Sequence, residues 1–367
     1  LHRHVTAKTA NCRHGFVQTI ANPAKSAKRK MDRLIDKLRE HLLLSQGRLV
    51  NLRDLRISLK IEPGSKSDAL LRTHMSITLV KDKIVSPSGR KDGEYKIVRQ
   101  VTPVRVFIPG RERRPVFELR FPQDKDTEME LDFADKITIR EGDLITLGGV
   151  KSKGKTTLCL LFTAANIDKN PVLMGNEYTT FHDGAYEPAP RFLHRLDVMS
   201  TWVTWVDDEG CDKFTLLPVR EDYVEHIEKD RINIIDWINM DANQLYDISK
   251  ILEGIKSGLG RGVAIVALQK KEGEGNPRGG QFVRDFSDVE ILLDGYGEFD
   301  DDILLTVKGA KEKKGAVVGK RYAYTIVNEG TQIRDFREVK PCSQCRGSGY
   351  VKGGTCETCN GRKLVDK

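Results

Sequence analysis

The stretch "LGGVKSKGKTTLCLLF", Leu147–Phe162, decides how the rest of the chain is read. Within it, Gly149-Val150-Lys151-Ser152-Lys153-Gly154-Lys155-Thr156 satisfies the spacing G-x-x-x-x-G-K-[ST]. Glycines at these places let backbone N–H groups wrap phosphate oxygens at a helix N-terminus, while the lysine reaches the outer phosphates and the hydroxyl meets Mg²⁺. The context fits this chemistry, because an apolar strand-like run, "DLITLGG", leads into the loop and an apolar helical run leaves it. Gly149, Ser152, Lys153, Gly154, Lys155, Thr156 and Thr157 are therefore the candidate ATP-binding residues, and Lys155 is also a catalytic candidate.

A magnesium–phosphate site needs a second anchor, an acid at the end of an apolar strand beside the loop. "INIIDW" offers Asp236 there; Asp241 is a rival nearby, but only Asp236 directly follows the apolar run. An Asp in that place also serves as a simple turn cap. Hydrolysis further requires a group that orients or deprotonates water. Glu177 in "PVLMGNEY" stands just beyond the next strand, where an ordinary surface glutamate is the plain alternative.

The chain has 367 residues with 39% hydrophobic composition, enough for about two or three folded units. No window approaches the roughly 18 consecutive apolar residues of a membrane span, and no apolar segment follows the basic N-terminal stretch, so the expectation is a cytoplasmic protein without a membrane partner. The formal net charge of +8 suits a polyanionic partner.

Residues 1–30 show neither helical nor strand periodicity and end in a basic run, which reads as a disordered leader before a start at Met31. From Met31, Leu34, Ile35, Leu38, His41 and Leu42 recur at helical spacing. A second helix is expected from the N-cap Asn51 to Pro63-Gly64, and a third, carrying Lys66 and Arg72, in "SKSDALLRTHMSITLV". "KIVSPSGRKDGEYKIVR" then reads as a hairpin with a basic turn. Three helices and a basic hairpin, with fifteen Lys/Arg against nine Asp/Glu over 31–100, give the order of a winged helix-turn-helix. Arg90 and Lys91 of the wing are candidate phosphate contacts; a protein-docking winged helix is the alternative.

Residues 101–141 read as short strands, among them "VRVFIPG" and "PVFELRF". From there to about residue 335, strand-like and helical runs alternate: "PVLMGN", "RINIIDWI", "ANQLYDISKILEGIKSG", "GVAIVALQ", "VEILLDG", "ILLTVKGA" and "RYAYTIV". The pattern predicts an α/β domain over 101–335 with a mainly parallel sheet finished by antiparallel strands.

"GGVKSKGKTT", "VLMGNE", "INIIDW" and "VAIVALQK", in that order, resemble the RecA/DnaB-like ATPases, most closely the bacteriophage-type branch that joins a winged helix to a RecA-like core. The resemblance covers about residues 31–335 and is strongest over 143–295. It implies Glu177 as catalytic carboxylate, Asp236 as magnesium-side acid and Gln269 as a polar sensor between γ-phosphate and nucleic-acid loops. It also implies that "KKEGEGNPRGGQFVRD", too irregular for a helix or strand, is a mobile DNA-contacting loop through Lys270, Lys271, Arg278 and Arg284. The family works as rings or filaments in which a neighbour's basic residue completes the site, so a homo-oligomer, a hexamer in the helicase branch, is implied. Lys308 and Lys311 in "LLTVKGAKEKKG" are the trans-acting candidates, although the run lacks the family's Lys-x-Arg; Lys313, Lys314 and Arg321 are the others.

Near the C-terminus, "CSQCRGSGYVKGGTCETCNGRK" carries two C-x-x-C pairs, Cys342/Cys345 and Cys356/Cys359. Four thiolates suit tetrahedral Zn²⁺, and the following glycines let backbone N–H groups face the sulfurs. The stretch resembles one zinc unit of the DnaJ cysteine-rich domain, which implies a zinc fold over 336–367 and not chaperone activity. Arg346, Lys352, Arg362 and Lys363 suit nucleic acid, and protein docking is the equal alternative. Together these features read as a Mg²⁺/ATP-dependent, helicase-like motor on single-stranded DNA; the alternative is a nucleotide-gated DNA-binding regulator or helicase-loading adaptor.

Overall fold

The computed structural model describes residues 26–45, 47–99, 116–238, 247–297 and 299–367. It divides into two compact units, Leu1–Arg111 and Glu112–Lys367. The strand expected at 104–110 and the rival acid Asp241 lie outside the described residues.

In the first unit, α1 (Ser26–Leu43), β1 (Leu49–Asn51), α2 (Leu52–Leu59) and α3 (Lys66–Thr73) precede a hairpin, β2 (Val85–Pro87) and β3 (Glu94–Ile97). α1 starts at Ser26, upstream of the helix start expected at Met31, because no Gly or Pro interrupts the stretch between them. Asn51 caps α2 by accepting from Asp54 N at 2.9 Å, and Ser65 caps α3 by accepting from Asp68 N at 3.2 Å. α3 runs on through a π turn, His74–Thr78, into α4 (Leu79–Lys81). The three strands form an antiparallel sheet in the order β1-β3-β2. Leu38, Leu42, Leu55, Leu71, Met75 and Leu79 form the core, the apolar faces of these helices turned together. Asp68, buried, clamps α2 to α3: it accepts from Arg56 Nε at 2.7 Å and from Gly64 N at 3.0 Å.

The second unit is built on one large mixed sheet. Its strands in chain order are β4 (Leu144–Gly149), β5 (Val172–Met174), β8 (Thr215–Leu217), β9 (Ile232–Ile235), β10 (Val263–Gln269), β11 (Val289–Gly295), β12 (Asp302–Ala310), β13 (Arg321–Val327), β14 (Gln332–Pro341) and β17 (Leu364–Asp366). The spatial order is β17-β14-β13-β12-β11-β4-β10-β9-β5-β8. From β11 to β8 every pairing is parallel, and from β11 to β17 every pairing is antiparallel. This is the mainly parallel sheet with antiparallel completion that the alternating pattern predicts.

The parallel strands are apolar throughout because both faces are covered. Ile145, Leu147, Ile265 and Ala267 face one core, shared with α5 (Lys155–Ala165); Leu144, Ala264, Val266 and Leu268 face the other, shared with α7 (Ile248–Gly258). A hairpin, β6 (Thr179–His182) and β7 (Ala185–Pro188), and α6 (Pro190–Met199) follow β5. "PVFELRF" is not a strand over its described residues. Leu119 and Phe121 do point inward with period two, but the backbone of Arg120 pairs with the Asn166 side chain, which accepts its N–H at 3.0 Å and donates to its carbonyl at 2.8 Å. A side-chain amide has replaced the neighbouring strand.

The cysteine-bearing segment is stitched into the same sheet. β14 spans residue 336, the boundary expected for a separate module, and β17 pairs with it after the chain returns through a small hairpin, β15 (Tyr350–Val351) and β16 (Gly354–Thr355). Among the described residues no helix is long and apolar enough to cross a membrane.

Candidate nucleotide site and cysteine centre

β4 ends at Gly149, and the chain turns through residues 150–153 before α5 begins at Lys155. Ser152 and Gly154 take φ of 60° and 77°, the left-handed geometry that turns successive N–H groups toward one side. Gly154 has a second reason to be glycine: a Cβ there would lie 2.7 Å from Ile326 Cδ1. The loop borders a cleft of about 980 Å³, whose other walls are Glu177, Arg191, Arg195, Gln269, Arg278 and the β13–β14 turn at 326–330. That volume suits a nucleotide-sized ligand.

Lys155 is buried, and its Nζ donates to the carbonyls of Gly149 at 3.0 Å and Val150 at 2.9 Å. Burial pushes its pKa down, while Asp236, Cys159 and Glu177 pull it back up. An incoming phosphate competes with two neutral carbonyls for this ammonium, which favours exchange. Thr157 is buried in the first turn of α5. Lys153 turns away from the cleft centre and pairs with Asp300 at 2.9 Å.

Asp236 follows β9 and is completely buried. Its Oδ2 accepts from Tyr178 Oη at 2.7 Å, and the Thr156 hydroxyl is its second hydrogen-bonding neighbour. Burial pushes this carboxyl above the ordinary range; the Tyr178 and Thr156 hydrogen bonds oppose that shift, Glu177 adds to it and Lys155 opposes it. Asp236 Oδ1 has no hydrogen-bond partner among the described residues. A buried carboxylate oxygen left unpaired beside a threonine hydroxyl and a lysine matches the oxygen donor set of Mg²⁺, so Thr156 and Asp236 fit that ion. The acid is held in place by Gly175, where a Cβ would stand 1.7 Å from the Asp236 carbonyl oxygen.

Glu177 is exposed on the cleft wall, close enough to Lys155 and Asp236 to shift both. Gln269 ends β10 level with Gly149 of β4, so strand register alone brings it to the loop. The following segment is anchored to it, since Arg278 N donates to the Gln269 carbonyl at 2.8 Å. That segment contains a short helix, α8 (Gln281–Phe286), where the sequence predicts irregular chain; glycines at 273, 275, 279 and 280 obscure it. Lys270 is buried and paired with Asp294, and Arg284 reaches the buried Glu290 at 3.3 Å and Asn276 at 2.9 Å. Lys271 is exposed beside Glu274, and Arg278 faces the cleft. Lys308 lies on β12 near Glu290, and Lys311 pairs with Asp288 at 3.0 Å within its own chain. In the first unit, Arg90 and Lys91 are exposed in the β2–β3 turn.

Three features of the cleft escape the motif reading: Tyr178, the arginines of α6, and the 326–330 turn. Arg191 and Arg195 are four residues apart after Pro190, a helix-start signal with two cations on one face, and this spacing was the available clue. Arg195 Nη2 lies against Gly330, near Thr157 Oγ1, with no hydrogen bond or ion pair to a protein group among the described residues.

The sulfurs of Cys342, Cys345, Cys356 and Cys359 lie within 4.8 Å of one another, and all four residues are buried. Cys342 and Cys356 are 3.8 Å apart and Cys345 and Cys359 3.6 Å. Tetrahedral Zn²⁺ with Zn–S of about 2.3 Å needs sulfurs about 3.8 Å apart, so the set fits zinc. Gly349 N donates to Cys345 Sγ at 3.3 Å. Burial works upward on the Cys345 thiol, but the N–H of Gly349, Cys359 and the N–H of Gly347 draw it down to about 6, toward the thiolate that a metal requires.

No family model matches the sequence, and no curated protein matches it. Among solved structures, the crystal structure of the RadB recombinase is similar over 53% of this chain and 91% of that one, at 14% identity and a TM-score of 0.39.

Proposed function

We propose that this chain is a magnesium-dependent ATPase that acts on DNA, with a helicase-like motor as the specific form. The observation that carries the reading is the convergence on one cleft of a phosphate loop, the Lys155 ammonium, the Thr156–Asp236 pair, Glu177 and Gln269. Loop N–H groups and Lys155 bind the triphosphate. Glu177, exposed to the cleft, orients the attacking water and takes its proton. Mg²⁺, held through Thr156 and Asp236, neutralises charge between the β- and γ-phosphates when bound. Gln269 passes the loss of γ-phosphate to the 270–286 segment through the Arg278 N–H on its carbonyl.

DNA as partner is supported by the net charge of +8, the exposed Lys271, and the helix order and basic turn of the first unit, which we read as a winged helix with Arg90 and Lys91 on phosphates. Lys270 and Arg284 act in this proposal by shaping the segment, since each holds an acid of β11. A homohexamer would bring Lys308 of one copy toward the cleft of the next. The adaptor reading is favoured by one observation: Lys311, the other trans candidate, is already paired with Asp288 of its own chain.

The deciding experiment is ATP turnover with and without single-stranded DNA. Lys155→Ala is expected to lower kcat by several orders of magnitude while the circular-dichroism spectrum is retained; unchanged turnover would overturn the ATPase reading. Strand separation on a forked substrate, together with ring-shaped particles, separates the motor from the adaptor.

A further inference from the structure

The zinc-fitting segment carries more charge than its fold uses. Arg346, Lys352, Arg362 and Lys363 are all exposed, and no side-chain hydrogen bond or ion pair engages any of them among the described residues. The acids nearby do not compensate: Asp366 is held by Arg337 at 2.8 Å, which leaves Glu357 as the segment's remaining carboxylate. Amid these cations, Tyr350 is 66% exposed at the start of the β15–β16 hairpin, in register with Thr355. The ring stands free on a rigid base. Residues 361–363 press against Gly349, where a Cβ would meet the Gly361 carbonyl oxygen at 2.7 Å and Lys363 Cγ at 3.3 Å, so the second knuckle's cations are brought beside Tyr350. Cys356 N on the Gly349 carbonyl, at 2.9 Å, fixes the hairpin to the cysteine centre.

We infer that this face is a binding site for single-stranded nucleic acid, with Tyr350 stacking on an unpaired base and Arg346, Lys352, Arg362 and Lys363 on the flanking phosphates. An aromatic ring with an open face offers little to a closed duplex, whose bases are already stacked, whereas every unpaired base has a π-face to give it. A protein partner is the competing occupant. Free cations on separate turns around a single aromatic suit a flexible polyanion better than an apolar docking groove, and the exposed ring has no apolar neighbours of its own beyond the half-buried Val351. The inference rests only on the nucleic-acid half of the function proposed above and needs no ATP hydrolysis.

The test uses the full zinc-loaded chain without nucleotide, a fluorescent oligothymidylate for affinity, and a 5-iodouracil-substituted strand for crosslink mapping. Wild type is expected to crosslink at Tyr350. Tyr350→Ala should weaken binding about tenfold with zinc content unchanged, and Tyr350→Phe, which keeps the ring, should bind as wild type. Arg362→Ala with Lys363→Ala should weaken binding and flatten its salt dependence by about one unit of log–log slope. Variants that bind as wild type, with crosslinks confined to 270–286, would overturn this site while leaving the DNA reading of the core standing. Failure of wild type to bind any single strand would remove both. Loss of a protein partner by Tyr350→Ala with undiminished oligonucleotide affinity would also overturn the site, in favour of docking.

Discussion

Tyr178 Oη donates to Oδ2 of Asp236 at 2.7 Å while its ring packs 5.0 Å from that of Phe192, so one buried tyrosine ties the acid after β9 to the helix that carries Arg195. Removing the hydroxyl leaves a second oxygen of a buried carboxylate without a partner, since Oδ1 already has none. Tyr178→Phe preserves the packing, and its cost is that of an unsatisfied buried acceptor, about 1–3 kcal/mol. Urea unfolding should show the loss, and a Mg²⁺ titration of ATP turnover should shift to higher concentration. A variant as stable as wild type with the same Mg²⁺ dependence would show that the hydrogen bond does not hold Asp236 for its role.

The same burial sets a pH dependence. Burial raises the Asp236 pKa above the ordinary carboxylate value, against the pull of Tyr178 and Thr156, so the carboxyl stays protonated to higher pH than an exposed aspartate. The ionised form is the one that serves a cation, so turnover should fall on the acid side at a pH above the usual aspartate range. Mg²⁺ favours the ionised form, and raising its concentration should move this limb to lower pH. A pH–rate profile at two Mg²⁺ concentrations measures both. An acid limb that does not move with Mg²⁺ would assign it to another group.

Arg195 lies against Gly330 and near Thr157, one residue past the hydroxyl that fits the metal, and has no protein partner among the described residues. This places its charge beside the inner part of a nucleotide bound to the loop, away from the bond that breaks. Interactions made equally in the ground and transition states change KM and leave kcat alone. Arg195→Ala should raise KM for ATP about tenfold, the value of one charge-assisted hydrogen bond, with little change in kcat. A fall in kcat at constant KM would instead put Arg195 on the transferring phosphoryl group.

The legibility of this chain follows the range of the interactions involved. The phosphate loop is local: Gly154 and Lys155 are adjacent, and the left-handed turn they need is written in glycines. Asp236 is legible because a parallel strand is an apolar run and its end is marked by the first acid. Gln269 is legible as a strand end, although only the β10–β4 register explains why it arrives beside Gly149. Tyr178 was hidden, since a tyrosine after "GNE" looks like any core aromatic until a strand distant in sequence delivers Asp236 to its hydroxyl. The failed strand at "PVFELRF" is the converse case: its period-two pattern is real, but the partner is the side chain of Asn166, which no periodicity announces. The four cysteines declare a metal centre, yet their merger with the main sheet depends on β17, a three-residue strand too short to register as a pattern.

That merger makes the cysteine centre a fastening for the sheet edge. β17 is held by three paired residues on β14, by Leu364 in a small core with Tyr296, Ala323 and Val339, and by the Cys342 N–H on the Lys363 carbonyl at 3.0 Å. Few apolar side chains lie between 342 and 363, so the knuckle's order depends on its metal. Chelation of a zinc-loaded preparation should therefore expose the thiols of Cys342, Cys345, Cys356 and Cys359 together and open 343–363 to protease. Cys211 is exposed and should react before and after, whereas Cys159, buried behind the phosphate loop, should stay unreactive until the core unfolds. Thiol counting with a chromogenic disulfide, alongside limited proteolysis and mass spectrometry, checks each part. A zinc-loaded chain whose four C-terminal thiols react at the same rate with and without chelator would mean that the metal does not hold this edge.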